Sequence, residues 1–224
     1  MSSRQEEKEQ RKQEREERER AVAKQAERKR LLQIIGGVVV GAVVLGGVAL
    51  AIAGGGGEDA ERDPDQLMAL AEKAGCVVRS FPSEGRNHVT TKLTTADYKT
   101  NPPTSGDHAP PEQVAADGVY APGNEPEIAR WVHTLEHGRI LFQYKPGTPK
   151  GRIAQLQTRF NGPVLDSGNG YHSVLMQNNT KMPFEVAAVA WRRYIGCEKF
   201  TDAALPAMSA FRDVYVDKAP EQIP

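Results

Sequence analysis

From Leu31 to Ala53 the chain runs without a single charge: Leu-Leu-Gln-Ile-Ile-Gly-Gly-Val-Val-Val-Gly-Ala-Val-Val-Leu-Gly-Gly-Val-Ala-Leu-Ala-Ile-Ala. A helix rises about 1.5 Å per residue, so a run of this length spans a hydrocarbon core of roughly 30 Å. The expectation is one transmembrane helix over 31–53. Lys29 and Arg30 abut its start, whereas Gly54 to Gly57, Glu58 and Asp59 follow its end. The positive-inside asymmetry then leaves the N-terminus in the cytoplasm and everything after residue 57 outside. Ala49-Leu-Ala51 and Ala51-Ile-Ala53 also fit a signal-peptidase site, but the run exceeds an ordinary apolar signal core and its charged leader is too long. Gly37 and Gly41 stand at the small-xxx-small spacing by which two membrane helices approach, a weak route to a homodimer.

Residues 1–30 carry eleven Lys and Arg against eight Asp and Glu, with no apolar stripe. Such a segment cannot bury a core and reads as a charged cytoplasmic tail or single solvated helix. Its mixed signs also argue against a nucleic-acid arm, which needs uncompensated positive charge. Residues 54–63 read as a linker, and 64–224 as one extracytoplasmic domain of ordinary size. The two cysteines, Cys76 and Cys197, stand far apart without a C-x-x-C motif. In an oxidising compartment that favours a structural disulfide over thiols serving as copper or redox ligands.

Within the domain, Asp63 and Pro64 open a helix that Gly75 closes. Cys76 to Phe81 reads as a strand. Prolines 102, 103, 110, 111 and 122, with Gly106, Gly118 and Gly123, make Tyr98 to Asn124 an irregular segment, and a loop this long is usually functional or disordered. A short helix is expected from Glu125 to His137, a strand over Arg139 to Tyr144 and a helix over Pro149 to Phe160. His172 to Gln177 and Phe184 to Ile195 read as two strands paired through a turn near Asn178, and a last helix runs from Thr201 to Val216. The fold class expected is α+β, a small mixed sheet covered by helices.

His133 and His137, in Trp131-Val-His-Thr-Leu-Glu-His-Gly138, are spaced i, i+4 and share one helix face. Two imidazoles so placed can hold one transition metal ion. His108, at the end of the stiff run Asn101-Pro-Pro-Thr-Ser-Gly-Asp-His108, is the third expected ligand. His88 is a further candidate, His172 a weaker one, and Met176 can complete a soft site suited to copper. Glu136 is expected off the metal face, as an acceptor for an imidazole N–H.

These motifs, together with Gly118-Val-Tyr120 and the strand ending in Tyr144, resemble the bacterial Domain of Unknown Function 3105 family over about residues 76 to 217. The chain departs from the family in having Asp107 where Pro is usual, a carboxylate that either supports a ligand or is solvated. The resemblance implies a charged leader, one helix in the bacterial cytoplasmic membrane and a domain outside. Three functions are consistent with the residues. The first is an anchored domain binding copper or zinc through its histidines. The second is a non-catalytic envelope interaction or structural domain without metal. The third is an H-x-x-E-H zinc hydrolase with Glu136 as its base, which wants a helix continuing past His137, where Gly138 stands. An enzyme is the less favoured outcome: the chain has no Gly-x-Ser-x-Gly elbow and no phosphate loop.

Overall fold

Capping signals near Pro64 produce the first element. Asp63 accepts a hydrogen bond from the Asp65 N–H, Pro64 fills the first turn, and Gly75, at φ 66°, closes helix α1 (Pro64–Ala74) onto the Ala71 and Glu72 carbonyls. The chain turns directly into strand β1 (Cys76–Ser80). The computed structural model describes residues 63–162, 164 and 170–221. Its further elements are β2 (Gly118–Val119), α2 (Ile128–Glu136), β3 (Ile140–Tyr144), α3 (Lys150–Phe160), β4 (Ser173–Gln177), β5 (Val186–Ala190), β6 (Arg193–Cys197) and α4 (Ala204–Tyr215).

The strands form one sheet in the order β1-β6-β5-β3-β4-β2. Pairing is antiparallel from β1 through β3 and parallel between β3, β4 and β2, so the sheet is mixed. Side chains alternate across it. Ile140, Phe142 and Leu175 pack with Leu67, Leu156, Phe160, Met208 and Phe211 beneath α1, α3 and α4. Leu141, Val174, Met176 and Val189 face the other way, against Trp131, Val132 and Leu135 of α2. That second face is where the candidate site lies. Cys76 and Cys197 oppose one another in the β1–β6 register and are joined by the disulfide.

Two expectations are corrected. Phe184 to Ile195 is not one strand paired with 172–177. It is the hairpin β5–β6, and β3 inserts between β5 and β4. The turn at Trp191-Arg192 lacks Gly, Pro or Asn, so the apolar run reads straight through it. Tertiary contacts make it instead: Arg192, at φ 64°, donates from its backbone N–H to the Thr104 carbonyl (2.7 Å) and accepts from the Phe81 N–H (2.9 Å).

The second correction concerns the membrane. Among the described residues no helix is long and apolar enough to cross one. The run 31–53, the charged tail 1–30 and the Gly37/Gly41 face lie outside the described residues. The described fold is the mixed α+β domain. No described helix supports the single-pass anchor, its orientation in a bacterial cytoplasmic membrane or the membrane as partner.

Candidate metal centre

The centre is assembled from three segments remote in sequence. Helix α2 supplies His133 and Glu136, both buried. Its residues from Trp131 to Glu136 are all buried, because the irregular segment covers the side turned away from the sheet. Thr134 donates to the Ala115 carbonyl of that segment at 2.9 Å, and the Ala109 N–H donates to the Ala129 carbonyl at 3.0 Å.

The Asn101–His108 run supplies the third side chain. Asn101 is tied to Thr180, donating to its carbonyl (3.1 Å) and accepting from its hydroxyl (2.7 Å). Thr104, Ser105 and His108 are fully buried. Gly106 sits at φ 129°, where a Cβ would come within 3.0 Å of the Tyr98 ring, so only glycine gives this bend. The Tyr98 hydroxyl then fastens the Asp107 carbonyl at 2.9 Å.

His88 arrives on a third segment through a parallel bridge to His108. The His108 N–H donates to the Asn87 carbonyl (3.0 Å) and the Val89 N–H to the His108 carbonyl (2.8 Å). Asp107 tightens this junction: its carboxylate accepts from the Asn87 side-chain amide at 2.9 Å. Asp107 thus clamps one histidine-bearing segment to another.

Four imidazoles gather as a result. Ring centroids stand 4.9 Å apart for His88 and His108, 4.8 Å for His88 and His133, and 4.6 Å for His108 and His133. The His133 and His137 centroids are also 4.6 Å apart. His88, His108, His133 and Glu136 each offer one ligand atom, and these atoms all lie within 4.8 Å of one another. A His–Glu cluster able to coordinate a metal ion is present.

Hydrogen bonding fixes how the rings present themselves. His108 Nδ1 lies 2.8 Å from the Gly106 carbonyl and His133 Nδ1 lies 2.6 Å from the Ala109 carbonyl. A carbonyl only accepts, so each Nδ1 carries the proton and each Nε2 presents a lone pair. His108 Nε2 faces Glu136 Oε2 at 2.9 Å. His133 Nε2 faces His137 Nε2 at 3.0 Å, and His137 Nε2 lies 3.5 Å from Glu221 Oε2. Arg86 Nε approaches Glu136 Oε1 at 3.5 Å.

Burial dominates the electrostatics. It pushes the His108 and His133 imidazoles below their ordinary value, with neighbouring histidines adding to the effect. His137 is brought down to about 4 by burial first and by His133 next. Burial raises the Glu136 carboxyl, Glu221 adds to that, and Arg86 opposes it. Without a cation, a protonated Glu136 donating to a neutral His108 satisfies both directions.

The other expected residues fall elsewhere. His172 stacks on Tyr171 and bonds Asp217 at 2.6 Å. Met176 is fully buried among Trp131, Val132 and Leu141. Glu136 was expected off the metal face and instead lies in the cluster. An i, i+3 neighbour shares a helix face as an i, i+4 neighbour does, and that spacing from His133 was the readable signal. Arg86 and Glu221 had no local signal, since both reach the site through tertiary contacts.

Fold and cluster together define a mixed α+β domain with a buried His–Glu group. Residues 88–223 match the family described as Protein of unknown function (DUF3105), and the chain belongs to that family. The matched span contains every member of the cluster. No curated protein and no solved structure matches the chain.

Proposed function

We propose that the domain binds one transition metal ion, zinc or copper(II), through His88, His108, His133 and Glu136. The observation that supports this most is the pair of buried imidazoles whose Nδ1 atoms are held by backbone carbonyls, so that two Nε2 lone pairs converge beside a buried carboxylate. Holding one ring nitrogen by an outer acceptor is how proteins orient metal-ligating histidines. Three imidazoles and one carboxylate suit zinc or copper(II), whereas copper(I) prefers the sulfur donors that are here committed to a disulfide or to the apolar core. His137, beside His133, is a fifth donor within reach.

The full chain, purified under oxidising conditions, is expected to hold about one equivalent of zinc or copper by elemental mass spectrometry. The His108→Ala/His133→Ala variant is expected to hold none while keeping its near-ultraviolet circular dichroism. Wild-type protein that takes up neither metal when each is added in excess would overturn the reading and leave a hydrogen-bonded structural core.

A further inference from the structure

Next to the cluster, on the outer side of Arg86, a groove encloses about 500 Å³. Its lining includes Arg86, Trp191, Arg192, Arg193, Asp217 and Lys218. The three guanidiniums are held in place. Arg192 Nε donates to the Phe81 carbonyl at 2.9 Å, Arg193 lies over the Tyr215 ring at 5.0 Å, and Arg86 reaches Glu136. Among the described residues neither Arg192 nor Arg193 forms an ion pair, and the Asp217 carboxylate is engaged by His172. Arg192 and Arg193 therefore bring positive charge to one wall that no acidic side chain pairs with. Guanidinium forks match carboxylate and phosphate oxygens in pairs, and the volume suits a small ligand.

We propose that this groove binds a small multivalent oxyanion, a polycarboxylate or a phosphate, beside the metal centre. Arg86 lies between the groove and the cluster, lining the one while its Nε approaches Glu136 Oε1 at 3.5 Å. Oxyanion binding in the groove does not rest on the metal reading proposed above.

The test is calorimetric titration of metal-free full chain with citrate and with pyrophosphate at low ionic strength. At least one probe is expected to bind saturably below millimolar. The Arg192→Gln/Arg193→Gln variant should bind about tenfold more weakly or worse. Arg193→Gln alone, which leaves the Arg192 contact to Phe81 intact, should also weaken binding if the double variant fails to fold. No saturable binding of either probe, or equal affinity in the arginine variants, overturns the groove. Metal content, measured on separate samples, fails or holds independently of the groove.

Discussion

Two backbone carbonyls, those of Gly106 and Ala109, decide what His108 and His133 can do. Each accepts a hydrogen bond from the Nδ1–H, so both Nε2 atoms are acceptors and must meet a proton or a cation. In the metal-free protein the proton belongs to the His108–Glu136 contact at 2.9 Å, and metal binding must displace it. Metal uptake is accordingly expected to release protons, measured by calorimetry in buffers of different ionisation enthalpy. The stability of the metal-free protein carries its own pH signature. His108, His133 and His137 all titrate below the ordinary 6.5 when folded, His137 at about 4. Below pH 6.5 the unfolded histidines take up protons that the folded ones refuse, so stability falls as pH drops from 6.5 towards 4. Glu136 has the opposite sign. Its folded value is raised above 4.5, so its contribution is present below that pH and lost as pH rises through the folded value. Urea melts across this range should show the histidine loss, and His137→Gln should reduce it. At single sites, His108→Ala and His133→Ala should each weaken zinc or copper binding about 100-fold or more, while His172→Ala, away from the cluster, should leave it unchanged.

Helix α2 is the element that turns these residues into a site, and its end matters as much as its face. His137 is its C-cap, and Gly138 at φ 82° turns the chain into β3. A Cβ on Gly138 would meet the Asp217 Cα at 2.8 Å, and the Asp217 N–H donates to the Gly138 carbonyl at 2.9 Å. This close approach carries residues 217–221 over the helix end, where the Glu221 N–H donates to the Glu136 carbonyl at 3.1 Å. Gly138→Ala combines a left-handed backbone with a backbone clash and should cost about 1–3 kcal/mol in urea unfolding. It should also weaken metal binding, because His137 and Glu136 shift together. Helix starts and stops were legible here because caps are local: Asp63, Pro64 and Gly75 bound α1 as expected. The β5–β6 turn was not legible, since it is made by Thr104 and Phe81 from distant chain.

At the scale of the whole molecule, the disulfide joins the edge strand β1 to β6 across a sequence separation of 121. It stitches the first helix and strand to a domain whose family-matched span begins only at residue 88. Replacing both cysteines by Ala should cost about 2–5 kcal/mol, read from denaturant melts beside the oxidised wild type. Because the cysteines lie on the face occupied by α1 and α4, metal content should survive that change. From residue order alone came the mixed α+β class, the candidates His88, His108, His133 and His137, the Cys76–Cys197 bridge and the family. The class, the histidines and the family are written in local spacing, cap chemistry or a short motif, signals that need only neighbouring residues, whereas the bridge follows from the chain having two cysteines in all. Tertiary structure alone decided that β3 separates β4 from β5, that Asp107 clamps Asn87, and that Arg86 faces both the cluster and a cationic groove. Those contacts link segments tens of residues apart, and whether two such segments meet is set by how the sheet buries its two faces, which no local pattern encodes.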